Sequence, residues 1–145
     1  MVILSIDYGD VRTGLAISDR SEMAVNDVPG VKADGFKKTL EAVAEKVAAL
    51  RPELIVVGNP INMDGSKGWR SEKAEAFAAE LAEKTGVPVE MYDERLTTME
   101  AHKILSENNV RGKKRKAVVD SLSARLILED YMRARKNRLA SDKNG

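Results

Sequence analysis

The sequence contains no cysteine, one histidine and very few aromatic residues. Without cysteine, neither a disulfide framework nor a thiolate metal site can form. Aromatic residues make up 4% of the 145 residues, so the 43% that are hydrophobic must build a core mainly from aliphatic side chains and methionine. The single histidine, His102, lies in the middle of an expected helix. These absences leave carboxylates as the main candidates for catalytic or metal-binding chemistry.

Long hydrophobic runs are also missing. No apolar run approaches the ~18 residues of a membrane span, and the first strand-like run begins directly after Met1, which leaves no room for a signal peptide. We therefore expect a cytoplasmic protein without a membrane partner. The length predicts one domain at residues 1–135, followed by a disordered basic and polar tail at residues 136–145.

The charges are unevenly distributed along the chain. Residues 102–145 contain 12 Lys and Arg against 5 Asp and Glu, a net charge of +7, whereas the remainder has 12 against 18, a net charge of −6. Charge separation of this kind predicts a polyanionic partner for the basic end. A solvated surface rich in Lys and Arg is the alternative.

Hydrophobic periodicity predicts an α/β fold. Short apolar runs indicate five strands, at residues 2–6, 13–18, 22–31, 54–57 and 87–92. Apolar residues at helical spacing indicate four helices, at residues 36–50 with Asp34 as its cap, 71–85, 97–107 and 118–135. Glycine-rich or basic loops are expected at residues 59–68 and 108–116. The order β-β-β-α-β-α-β-α-α predicts a mixed five-stranded sheet, with three antiparallel strands, β-α-β crossovers and helices on both faces.

Asp7 is the first candidate for a metal ligand. It follows a buried strand, at the sheet edge where open α/β sheets place their ligands. An ionised carboxylate there needs a partner charge, and a divalent cation is the natural one. The alternative is that Asp7 caps the turn formed by Tyr8 and Gly9.

Two further acidic positions could join Asp7. Asp93 and Glu94 follow the last strand, and because successive strand residues face opposite sides, one of them is expected to bind metal while the other pairs or caps. Glu94 is favoured for its longer reach, with Asp93 as the alternative. Asp120 lies in the first turns of the final helix, where it is either a site residue or a charge favoured by the helix dipole.

Together these carboxylates would converge on one end of the sheet. Clustered carboxylates repel one another unless cations neutralise them, so we expect Asp7, Glu94 and Asp120 to hold Mg²⁺ or Mn²⁺, with two ions at the site. Two such ions can activate water and stabilise the leaving oxygen during phosphodiester hydrolysis.

Basic residues near these positions predict a nucleic-acid substrate. The candidates are Arg12, Lys67, Arg70, Arg95, Arg111, Lys113, Lys114, Arg115 and Lys116. Such a cluster gives salt-sensitive affinity that does not depend on sequence. Trp69 could stack on an unpaired base, although packing on a neighbouring helix is the more common role for tryptophan.

Four ordered motifs resemble those of the YqgF/RuvX family. They are DYGDVRTGLA at residues 7–16, GNPINMDGS at 58–66, DERLTT at 93–98, and the segment from Lys116 through Asp120 to Ser123, Ala124 and Tyr131. The resemblance extends from Val2 to about Met132. Two positions depart from the usual pattern: Asn59 stands where an apolar residue is usual, and Ser123 where alanine is usual.

The resemblance implies a ribonuclease H-like fold related to Holliday-junction resolvases. It implies a nuclease that processes the 5′ end of pre-16S ribosomal RNA or, alternatively, acts on branched DNA. Asp7, the pair Asp93–Glu94 and Asp120 then take the metal-binding positions. The expected partners are structured RNA or branched DNA and a pre-ribosomal particle, and the expected assembly is a monomer or a homodimer.

Two other functions fit parts of the sequence. An actin-like ATPase shares the sheet and the Asp-x-Gly start, but it binds ATP between two domains, and 145 residues leave no room for a second one. A non-catalytic RNA- or ribosome-binding module could keep the fold without cleaving anything. Binding that ignores EDTA, with no cleavage, would distinguish it from a nuclease.

Overall fold

The computed structural model describes residues 1–96 and 112–144, with side chains for residues 1–95 and 122–141. Over these residues the chain forms a sheet of five strands, three long helices and a 3-10 turn. In chain order the elements are β1 (Ile3–Asp7), β2 (Arg12–Ser18), β3 (Val25–Lys32), α1 (Phe36–Leu50), β4 (Leu54–Asn59), α2 (Trp69–Thr85), β5 (Val89–Asp93), the 3-10 turn (Glu94–Leu96) and α3 (Gly112–Asn144).

The sheet has the mixed topology expected from the sequence. Its strand order is β3-β2-β1-β4-β5. Short turns join β1, β2 and β3 into an antiparallel meander, whereas β1, β4 and β5 run parallel. The carboxyl ends of these three parallel strands therefore meet at one edge, where open α/β sheets place their ligands.

Each face of the sheet is covered by helices, as predicted. Alternation along β4 directs Ile55 and Val57 toward α1 and α2, where they pack with Phe77 and other apolar side chains. The intervening residues, such as Val56, face α3 and pack against Ile127. Strands buried on both sides explain the uninterrupted apolar run in the sequence of β4.

Helix α3 runs antiparallel to β1. Near the middle of the strand, Ser5 Oγ donates a hydrogen bond of 2.6 Å to the carbonyl oxygen of Ala124. At the amino end of the chain, the Met1 ammonium contacts Glu22, which also accepts a hydrogen bond from Arg135. The amino end of β1 therefore lies near the later residues of α3, and the first turns of α3 extend toward the carboxyl end of β1.

The final helix is longer than predicted at both ends. Residues 112–116, expected in a loop, belong to α3, and the helix continues to Asn144 instead of ending at Arg135 before a disordered tail. Composition misled the prediction, because the mostly polar segment 136–144 includes good helix formers, namely Lys, Arg, Leu and Ala, that extend a helix already anchored by packing.

Helix α1 also begins differently from the prediction. The cap is Gly35, at φ 98°, and no side chain caps the helix, so Asp34 does not have the expected role. The predicted helix at residues 97–107, with His102, lies outside the described residues. Within the described part of the chain, no helix combines the length and the apolar character needed to cross a membrane.

Candidate active site

A cavity of about 530 Å³ opens at the carboxyl ends of the parallel strands. The end of β1, the turn that follows it, the first turn of α2 and the residue after β5 form its walls. The lining side chains include Asp7, Tyr8, Asp10, Trp69, Arg70, Lys73 and Glu94. The cavity therefore combines acidic and basic groups at the sheet edge where the sequence predicted a site.

Asp7 and Glu94 meet within this cavity. By alternation from Ile3 and Ser5, Asp7 faces α3, and Glu94 continues the face of Tyr92 just past the end of β5. Their carboxyl groups share a hydrogen bond. Two carboxylates this close repel each other unless a positive charge lies between them, so a divalent cation could be held by the pair.

Glu94 is held in an environment that disfavours its charge. Only 9% of its surface is exposed, and this burial raises the pKa of its carboxyl group, with a smaller upward contribution from the negative charge of Asp93. The hydrogen bond with Asp7 lowers the pKa in part. A buried carboxylate is stabilised by a nearby cation, so this environment suits a hard metal ion such as Mg²⁺ or Mn²⁺.

Gly58 provides the space that Glu94 occupies. A Cβ at this position would lie 2.8 Å from both Cγ and Cδ of Glu94 and 2.7 Å from Cδ1 of Ile127. All three distances are shorter than real Cβ contacts. The absent side chain on β4 thus allows Glu94 to lie across the strand toward Asp7.

Asp93 has a different environment from its neighbour. It accepts hydrogen bonds from the backbone amide of Arg95 at 3.0 Å and from Arg95 Nε at 2.8 Å. These contacts hold the pKa of Asp93 below its usual range. The structure therefore pairs Asp93 with Arg95 and brings Glu94 to Asp7.

The turn between β1 and β2 forms the opposite wall. Lys73 from α2 reaches across to Asp10 with a distance of 2.7 Å between Nζ and Oδ1, and Tyr8 donates a longer hydrogen bond to the same oxygen. The ion pair lowers the pKa of Asp10 and raises the pKa of Lys73. It ties the turn to α2 and places a cation at the cavity.

Trp69 is exposed, contrary to the expectation that it would pack on a helix. It retains 62% of its surface as the first residue of α2. The Arg70 guanidinium carbon lies 5.5 Å from the ring centroid, and Lys73 Nζ lies 5.9 Å from it. The cations hold the indole at the cavity rim, so the first turn of α2 supports the ring without burying it.

The family model described as "RuvX: Holliday junction resolvase" matches residues 1–134. A relative from Ruminiclostridium cellulolyticum is 38% identical over 144 residues, covering 99% of both chains, and one from Halothermothrix orenii is 40% identical over 132 residues, covering 91% of this chain and 94% of its own. Both relatives carry the name "Putative pre-16S rRNA nuclease". The chain belongs to the RuvX (YqgF) family.

Solved structures confirm the ribonuclease H-like fold of this RuvX family member. The Thermus thermophilus RuvC complex with a Holliday junction substrate aligns with a TM-score of 0.57 at 20% identity, covering 94% of this chain and 96% of that one. The Fowlpox virus Holliday junction resolvase aligns with a TM-score of 0.56 at 18% identity, covering 92% and 99%. Membership in this nuclease family makes the chain a hydrolase of phosphodiester bonds, as the motifs predicted.

Asn59, a departure from the usual RuvX pattern, is buried beside the site. Its side-chain oxygen accepts a hydrogen bond from Ser71 Oγ, and its Nδ2 donates to Glu75 at 3.1 Å. The two contacts satisfy the amide and connect the end of β4 to α2. Asn59 therefore fixes the position of the helix whose first turn lines the cavity. Ser123, the other departure, is buried on α3.

The predicted basic residues are only partly gathered at the cavity. Arg70 lines it, whereas Lys67 forms an ion pair with Glu75 and Arg95 one with Asp93. Arg12 begins β2, opposite Lys32 of β3. Arg111 lies outside the described residues. The side chains of the rest of the predicted cluster also lie outside them, and these are Lys113, Lys114, Arg115 and Lys116.

The third predicted carboxylate, Asp120, belongs to α3, but its side chain also lies outside the described residues. Among the side chains of residues 1–95 and 122–141, no group of three or more acidic or histidine residues could hold a metal ion. Of the three predicted ligands, Asp7 and Glu94 are the two whose side chains the structure describes.

Two residues important to the site were missed at the sequence level. Lys73 was not singled out, although it lies three residues after Arg70 and so shares its face of the first helical turn. Gly58 was predicted only to end a strand and to open the second family motif. Its role depends on Glu94 and Ile127, which are distant in sequence, and no local signal reveals it.

Proposed function

We propose that this protein is a divalent-metal-dependent nuclease whose ions are held by Asp7, Glu94 and Asp120. The single observation that carries the proposal is that Asp7 and Glu94 line one cavity at the carboxyl ends of β1 and β5, where their carboxyl groups interact. Bound Mg²⁺ or Mn²⁺ would polarise a phosphodiester and promote ionisation of water. The two carboxylates supply hard oxygen ligands suited to either ion, and we propose two ions.

The course of α3 supports the inclusion of Asp120. The residue lies four positions before Ala124, whose carbonyl group accepts the hydrogen bond from Ser5. Four helical residues span about 6 Å, and the two strand residues from Ser5 to Asp7 span about 6.6 Å. Because the helix and strand are antiparallel, both segments extend from the same contact toward the same edge of the sheet.

The chain's own residues would divide the remaining tasks. Arg70 and Lys73 place positive charge on the cavity wall facing the carboxylates, where the phosphate backbone of a substrate would lie. Asp10 orients Lys73 through their ion pair. The predicted basic cluster at the start of α3 would add affinity that depends on salt concentration and not on sequence.

The 5′ end of pre-16S ribosomal RNA, within a pre-ribosomal particle, is the substrate that we propose first. The names of the relatives from Ruminiclostridium cellulolyticum and Halothermothrix orenii support it. Branched DNA is the second candidate, favoured by the description of the family as a Holliday junction resolvase. For either substrate we propose action in the cytoplasm.

Cleavage assays with matched variants test the proposal. Asp7→Asn and Asp120→Asn are each expected to reduce Mn²⁺-dependent cleavage by more than about a hundredfold, since even groups that only support metal ligands contribute about 10–100-fold. Asp27→Asn, on the exposed strand β3, is the control and should cleave normally. A precursor RNA with its 5′ extension and a four-way DNA junction are offered in parallel, with EDTA as the blank. Normal cleavage by the Asp7 and Asp120 variants would reject the assignment.

A further inference from the structure

We propose that Trp69 and Arg70 form a stacking site for one unpaired nucleotide next to the Asp7–Glu94 pair. The inference rests on the proposed nuclease function and specifies its substrate: a strand whose base is unpaired beside the bond to be cut. Three features of the cavity support it, namely an accessible indole, adjacent cations and a suitable volume.

The accessible indole is the first feature. Trp69 is the only tryptophan in the chain and keeps 62% of its surface exposed while lining the cavity. An indole buries more apolar area than most side chains when it finds a partner, so leaving it exposed forgoes substantial stabilisation of the fold. Bases are well suited to cover it, because every base has a face on which an aromatic ring can stack.

The charges beside the ring are the second feature. Arg70 and Lys73 both approach the indole to within 6 Å, at 5.5 and 5.9 Å from its centroid. A nucleotide presents a flat base joined to a phosphate, so a ring flanked by cations matches both of its parts. The same cations would discourage an apolar protein segment from covering the ring, since burying them would cost desolvation free energy.

The volume and position of the cavity are the third feature. Its volume of about 530 Å³ falls within the usual range for small-molecule sites. Trp69 and the carboxyl groups of Asp7 and Glu94 line the same space. In a duplex, both faces of an internal base are covered by its neighbours. A base stacked on Trp69 must therefore be unpaired or flipped, and the bond beside it would lie at the carboxylates.

Intrinsic fluorescence tests the proposal directly, because all tryptophan emission comes from Trp69. The full-length protein is titrated in EDTA with a single-stranded oligoribonucleotide and with the blunt duplex of the same sequence, so that no metal-dependent cleavage occurs. Binding is followed independently by anisotropy of a label on the oligonucleotide. We expect the single strand to quench the emission and to protect the indole from acrylamide. The duplex should bind without either effect.

Three variants separate stacking from general attraction. Trp69→Ala should weaken single-strand binding by at least about fivefold, since stacking on an aromatic ring contributes about 1–3 kcal/mol per base. Trp69→Phe keeps a ring and should stay within about twofold of the parent protein. Met23→Ala is the control, because Met23 is 84% exposed but lies in the turn after β2, beside the amino end of the sheet.

The outcomes distinguish this inference from the nuclease proposal. The stacking site would be overturned if single-strand binding left the emission of the parent protein unchanged and if Trp69→Ala bound the single strand as tightly as the parent. That result would leave the nuclease proposal untouched. Equal quenching by duplex and single strand would also overturn it. Specific quenching by the single strand without cleavage of any substrate would support the stacking site and count against the nuclease.

Discussion

Replacing Gly58 with alanine should affect both stability and metal binding, through two separate contacts. The new Cβ would lie 2.7 Å from Cδ1 of Ile127 and 2.8 Å from two atoms of the Glu94 side chain. Inserting a methyl group into a packed interior costs about 1–3 kcal/mol. Urea unfolding should therefore show Gly58→Ala to be less stable by about that amount.

The same substitution should impair metal binding more than a general loss of stability would. The Glu94 side chain must move away from the strand to accommodate the methyl group, and its hydrogen bond with Asp7 would be lost or lengthened. Perturbing the support of a metal ligand lowers affinity by about 10–100-fold. Calorimetric titration with Mn²⁺, well below the unfolding transition, measures this change.

Ile127→Val provides a control that separates the two contacts, because it removes only the Cδ1 atom that the new methyl group would meet. Alone it should cost about 0.5–1.5 kcal/mol. In the double variant with Gly58→Ala the losses should be less than additive, since one of the two collisions is gone. Mn²⁺ affinity should stay low in the double variant because the contact with Glu94 remains. Parent-like stability and Mn²⁺ affinity in Gly58→Ala would refute the reasoning.

Two further predictions concern polar contacts that do not involve the proposed metal ligands. Asn59→Ala would remove the oxygen that accepts from the buried Ser71 hydroxyl and the amide that donates to Glu75, and should lower the free energy of unfolding by about 1–3 kcal/mol. An unchanged urea midpoint would contradict this. Partial burial raises the pKa of Glu22, but hydrogen bonds from the terminal ammonium and from Arg135 outweigh it, so the pKa is lowered overall. An acid with a lowered pKa stabilises the fold above its unfolded-state pKa, near 4.5, and loses that contribution as the pH falls. Glu22→Gln should therefore be less stable than the parent at pH 7, by up to about 1 kcal/mol, and the difference should disappear in acid. A difference in unfolding free energy that stays constant from pH 7 to acid would contradict the lowered pKa of Glu22.

The sequence predicted the central strands of the sheet, β1, β2 and β4, because most of their residues are buried. A strand covered on both faces must be apolar throughout, and a period of 3.6 in the following segment reveals the covering helix. The position of Asp7 followed from the same pattern, since it ends the first apolar run. Helix ends were less predictable: the extension of α3 through polar residues to Asn144 depends on the anchoring of its middle to the sheet.

The choice between Asp93 and Glu94 depended on where β5 ends. The strand closes at Asp93, and a 3-10 turn starts at Glu94. Because successive side chains point to opposite faces of the sheet, Glu94 lies on the same face as Asp7, and Asp93 pairs with Arg95. The space that admits Glu94 comes from Gly58 on another strand, and local sequence carries no information about such through-space neighbours.

The most direct test of the account is a comparison of Mn²⁺ affinity between two adjacent carboxylates. Electron paramagnetic resonance of free Mn²⁺ gives the affinity for the parent protein, for Glu94→Gln and for the matched control Asp93→Asn. The account predicts a loss of at least about tenfold in Glu94→Gln and a change within about twofold in Asp93→Asn, whose side chain can still bond to Arg95. Equal affinity in all three proteins, or a larger loss in Asp93→Asn, would contradict a metal centre built on Asp7 and Glu94.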